Sequence, residues 1–163
     1  MIVLEVPRRL WRSVRVAAFE SFAEWLDTHH AATLGLPRDA EVVVEVHGGA
    51  ELPRRHYRSA VGLTLLVDPA TKRPRDDYRV AIATGAYPGE DDASWQARLE
   101  TLPHELAHVG SWYAIAGATP ARAGHAAWAA WKRRAPETVD DPEEQLGRRL
   151  TAQFIAASRG ARR

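Results

Sequence analysis

The stretch from about Ala93 to Ala116 constrains this chain more than any other part. Leu106, Ala107, Val109 and Ile115 make it an apolar segment with helical spacing. His104, Glu105 and His108 nevertheless sit in its middle. An apolar helix must be covered by the rest of the fold, and an ionisable group buried with it is costly unless it is paired. Residues four apart on a helix share a face, so the two imidazoles project side by side, about one turn apart. The fold must therefore enclose a helix that carries a polar cluster. Pro103 lacks a backbone donor, so the helix is expected to kink there or to begin anew.

The remaining segments show what can enclose it. From about Arg9 to Thr33, the residues Leu10, Trp11, Val14, Phe19, Phe22, Trp25 and Leu26 recur at helical spacing, and Leu36-Pro37 breaks the pattern. Three strand-like runs follow, at Glu41–His47, Val61–Val67 and Tyr78–Thr84. The charged, proline-containing segment Pro69–Asp77 reads as the loop between the last two. Beyond Ala116, one helix is expected from about Pro120 to Arg134. Another is expected from Asp140 or Asp141 with Pro142 to about Ser158. The order is a helix, three strands, then helices, which implies an α+β domain. A length of 163 residues suits one domain over 1–163 with a real core.

Composition narrows the chemistry. No cysteine is present, which excludes disulfides, a thiol nucleophile and cysteine-ligated zinc. The net charge of +1 gives no ground for a nucleic-acid partner. No run approaches the ~18 apolar residues of a membrane span. The first ten residues lack the order of a signal peptide. The expectation is a cytoplasmic protein without a membrane partner.

His104-Glu105-Leu106-Ala107-His108 is the pattern of a catalytic zinc site. Two imidazole nitrogens one turn apart suit one Zn2+ ion at ~2.0–2.1 Å from each. Glu105 does not bind the metal in this pattern. It takes a proton from the zinc-activated water and delivers it to the leaving amine, as general base and then acid. Catalytic zinc also needs a third protein ligand and an open position. His125 lies 17 residues after His108, beyond the break at Gly117-Ala118-Thr119-Pro120. Glu144 and Glu143 open the last helix, and Asp140 and Asp141 stand just before it. Glu144 shares a stripe with Gly147 and Thr151, which would permit close helix packing, and Glu143 shares one with Leu146, Leu150 and Phe154. Acidic residues in a first helical turn also simply favour the helix dipole.

Around the motif, the segment Thr101 to Arg134 resembles the SprT-like zinc peptidases. It offers Gly124-His125-Ala126-Ala127-Trp128 and the basic run Lys132-Arg133-Arg134. It departs from them in Ala126, where a glycine usually stands, and in an aromatic that comes one residue early. That resemblance implies His125 as third ligand, ahead of Glu144 and then Glu143. Glu143 to Thr151 instead looks like the gluzincin pattern of minimal gluzincins and ImmA/IrrE-like domains, which implies Glu144. The metzincin pattern is excluded, because Ser111 stands where it needs glycine and Ala114 where it needs histidine.

These resemblances imply a zincin-like α+β fold: an N-terminal helix, a small three-stranded sheet, the active-site helix and two further helices. They imply a zinc metallopeptidase acting on a peptide or protein substrate. If Tyr78–Thr84 is an edge strand, an extended substrate can add to it. Two other readings are a catalytically weak metal-binding regulatory or interaction domain, and a SprT-like protease acting on DNA-bound proteins. The other conspicuous residues read as structural. His29-His30 closes a helix, His47 and His56 are isolated, and Trp112, Trp128, Trp131 and Tyr113 suit a core. Pro53-Arg54-Arg55-His56 reads as a solvated loop.

Overall fold

The structure is a computed structural model and describes residues 1–36, 38, 41–55, 57, 60–68, 70–71, 73–85, 95–116 and 140–160. It is α+β. Four strands are described: β1 (Ile2–Glu5), β2 (Val42–His47), β3 (Gly62–Val67) and β4 (Pro74–Ala83). Three helices are described: α1 (Val14–His30), α2 (Trp95–Ala116) and α3 (Pro142–Gly160).

The sheet has the order β1-β2-β4-β3. β1 runs parallel to β2 and β2 parallel to β4, whereas β3 is antiparallel to β4. Parallel neighbours need a crossover connection, and α1 supplies one between β1 and β2. The sheet therefore has four strands rather than the expected three. The extra strand is Ile2–Glu5, too short to announce itself beside Pro7, Arg8 and Arg9. β4 also begins at Pro74, inside the expected loop, because Arg75, Asp77 and Arg79 alternate with Tyr78 and Val80 along a strand. β4 lies inside the sheet, so the edge on the α2 side belongs to β3.

Strand alternation gives the sheet two unlike faces. Val42, Val44, Val46, Tyr78, Val80 and Ile82 face the helices. They form the main core with Phe19, Phe22 and Leu26 of α1 and Leu99, Leu102, Leu106 and Val109 of α2. The other face carries Glu45 and Arg79, and a smaller cluster of Leu52, Leu65, Ala81 and Ala83. Ser13 caps α1, its hydroxyl accepting from the Val16 amide at 3.4 Å.

Pro103 does not divide α2, which is one helix from Trp95 to Ala116. The helix is seated by close backbone contact. A Cβ at Gly110 would lie 1.8 Å from the Leu34 carbonyl oxygen, so only glycine lets α2 meet the turn that follows α1. Gly35 in that turn has φ +68°, a left-handed conformation that suits glycine. The last helix agrees with the sequence expectation to within two residues at each end. The helix expected over 120–134 lies outside the described residues. Among those described, no helix is long and apolar enough to cross a membrane.

Candidate active site

The middle of α2 lies between two elements, β3 on one side and α3 on the other. His104 and His108 leave α2 on a common flank, as their four-residue spacing requires. Their Nε2 atoms converge to 3.0 Å, with ring centroids 4.6 Å apart and planes at 88°. An N–H on either nitrogen can bridge to the other. The same convergence suits a shared cation, since two nitrogens each ~2.1 Å from one tetrahedral zinc lie ~3.4 Å apart. The two donors thus fit the group that the sequence implies.

Glu105 is buried, at 7% exposure. Its carboxylate is positioned by β3. The Thr64 hydroxyl lies 2.8 Å from Oε2 and 3.0 Å from the main-chain oxygen of Glu105. Oε1 is 3.9 Å from His104 Nε2. Gly62 leaves room for this arrangement. A Cβ there would come within 2.3 Å of Thr101 Cγ2, 3.0 Å of Glu105 Cγ and 3.1 Å of Glu105 Oε1. Neither Gly62 nor Thr64 was singled out in the sequence. The available signal was Thr64, the one hydroxyl in the apolar run Gly62–Val67.

From the opposite side, α3 brings Glu144 to His104. Oε1 of Glu144 stands 3.5 Å from Nδ1, the nitrogen turned away from His108. Gly147, one turn later, permits the approach: a Cβ there would meet the Glu100 carbonyl at 3.1 Å and His104 Cβ at 3.4 Å. Gly147 and Thr151, the small residues on the Glu144 stripe, are both buried, and Gly147 lies against α2. Glu143 also meets α2, accepting from Ser111 Oγ at 3.5 Å. His125, Trp128 and Trp131 lie outside the described residues, as does the string Lys132-Arg133-Arg134. Among the described residues, no group of three His, Cys, Asp or Glu side chains is arranged to hold a metal ion.

Several other described side chains pack in the core or pair on the opposite face of the sheet. Tyr113 packs on Tyr78 with centroids 5.8 Å apart, and burial with the neighbouring Tyr113 pushes the Tyr78 phenol up to about 12. Trp112 is buried in the main core. His30 packs on Trp25 at 4.3 Å and is lowered by burial, with His29 and Arg149 adding to the effect. His47 lies against Tyr57 and 3.7 Å from Glu45. On that face Arg79 binds Glu5, Asp77 and Glu45, and the Tyr57 hydroxyl donates to Glu45 at 2.5 Å.

The arrangement on α2 can do two things chemically. Two imidazole nitrogens offer lone pairs to one point, and a carboxylate held from behind offers a proton acceptor beside that point. No protein-family model, curated protein or solved structure matches this chain.

Proposed function

We propose that the chain is a zinc-dependent peptidase, in which His104 and His108 hold the metal through Nε2 and Glu105 moves the proton. The observation that carries this reading is the convergence of the two Nε2 atoms at 3.0 Å with the Glu105 carboxylate beside them. Zinc held there supplies Lewis-acid polarisation of a carbonyl and acidifies a water molecule. Glu105 accepts a proton from that water on the oxygen nearer the histidines and later gives it to the leaving amine. Glu144 at His104 Nδ1 favours the tautomer with its lone pair on Nε2. His125 leads as third ligand and Glu144 follows; to bind the metal, Glu144 would leave His104 Nδ1 for the Nε2 side.

The substrate is an extended peptide or protein segment. β3 lies along the Glu105 side of α2, and its outer edge has no strand partner among the described residues. Main-chain pairing along that edge would lay a peptide bond across the site.

The reading is tested by zinc reconstitution of purified protein, followed by metal analysis and cleavage of a quenched fluorescent peptide mixture. About one zinc per chain is expected, with cleavage that a chelator abolishes and added zinc restores. No zinc retained after dialysis at neutral pH would overturn it.

A further inference from the structure

We infer that Thr64 is a positioning residue for Glu105, so that the edge strand decides which carboxylate oxygen faces the histidines. The inference rests on the peptidase reading and adds to it a residue outside the motif and outside the helix.

The geometry is specific. Strand alternation turns Gly62 and Thr64 towards α2, and Leu63 and Leu65 towards the opposite face. The Thr64 oxygen sits between Oε2 and the main-chain oxygen of the same glutamate, at 2.8 Å and 3.0 Å. A hydroxyl with one proton donates to one of these at a time. Donation to Oε2 fixes the orientation of the carboxylate from behind. Oε1 is then the oxygen left on the side of His104 Nε2. Gly62 completes the seat, because a Cβ there would run into the Thr101 methyl at 2.3 Å and press on the Glu105 side chain at 3.0–3.1 Å. A glutamate fixed in one rotamer gives up side-chain conformational freedom. Thr64 meets that cost before substrate arrives, which is the condition for efficient proton transfer.

A purely structural role would have Thr64 tie strand to helix through the main-chain oxygen alone. A double-mutant cycle separates the two in the metal-free protein. Thr64→Val and Glu105→Ala are made singly and together, and unfolding is followed in urea. Positioning predicts non-additivity of about tenfold in the unfolding equilibrium constant. Additivity within about twofold overturns the inference. Should Thr64→Val fail to fold, Thr64→Ala completes the same cycle.

In the zinc-loaded protein, Thr64→Val is expected to lower kcat on the quenched peptide mixture about tenfold, with KM and zinc affinity unchanged. Thr64→Ser, which keeps the hydroxyl, is expected to restore most of the rate. A change in KM alone, or no rescue by serine, overturns the inference. A wild-type protein that binds zinc and cleaves nothing defeats the peptidase reading instead. The urea cycle then still decides whether Thr64 holds the carboxylate.

Discussion

Two polar clusters lie on opposite sides of the sheet, and they are built on different terms. Around Glu45 a carboxylate meets a guanidinium, and Arg79 is in turn shared with Glu5 and Asp77. Burial alone would raise the Glu45 pKa, but His47, Tyr57 and Arg79 outweigh it and bring the group down to about 2. Around Glu105 the described contacts are the Thr64 hydroxyl and the His104 imidazole, which itself meets His108. A carboxylate neutralised by arginine is a poor proton acceptor and a good brace. One oriented by a hydroxyl beside metal-type donors is placed for chemistry. On the proposed reading, the kind of partner, more than the degree of burial, separates a structural polar cluster from a catalytic one.

The sharpest way to break this comparison is Glu105→Gln. The amide keeps the shape and the acceptor towards Thr64 but cannot shuttle a proton. Cleavage by zinc-loaded protein is expected to fall about 10³-fold, with zinc content and folding unchanged. Equal cleavage by wild type and variant would place Glu105 among the structural carboxylates.

Zinc affinity then separates the two third-ligand readings. His125→Ala is expected to weaken zinc binding by at least ~100-fold, and Glu144→Ala to weaken it by ~10-fold through the loss of its contact with His104. Competition with a chromogenic chelator measures both. The opposite order assigns the ligand to Glu144, and wild-type affinity in both variants points to Glu143, Asp140 or Asp141. Far-ultraviolet circular dichroism must match wild type in each case.

The smallest effects belong to the bracing cluster. Arg79→Met is expected to cost about 2 kcal/mol in urea denaturation, between a surface pair and a fully buried one, and to leave zinc affinity untouched. The Glu45 pKa is depressed from 4.5 to about 2 on folding, so its stabilisation is complete above pH 4.5 and lost as pH falls towards 2. Glu45→Gln should flatten the stability profile over that window. A profile unchanged by this substitution would remove Glu45 from the account of acid stability.

Much of this was legible along the chain. The periodicity of α2, the β-branched run of β2 and the Asp-Pro start of α3 each carry a local signal, and each stands close to its expected place, whereas α1 begins at Val14, five residues later than expected, with Trp11 and Val14 exposed instead of buried. β1 escaped because four residues hold too little pattern, and its strand character comes from pairing with β2. The first part of β4 escaped because its charged residues pair with one another along one face of the same strand, and a run of charges looks like a loop until those partners are known. At the site, His104, Glu105 and His108 were visible because helix spacing is local. Thr64 was not, because it reaches Glu105 from 41 residues away and no periodicity reports such a contact.

The close approaches to α2 carry a consequence for ancestry. Gly62 of the edge strand, Gly110 of α2 itself where it meets the turn after α1, and Gly147 of α3 let main chain approach at the helix from three directions. Side chains in a core can exchange for others of like volume, but a seat made by the absence of a Cβ has no substitute. Divergence should therefore erase the core residues of this chain long before it erases those glycines. A descendant too distant to align would still carry the spacing of Gly62, Thr64, His104, Glu105, His108, Gly110 and Gly147, and could be recognised by it.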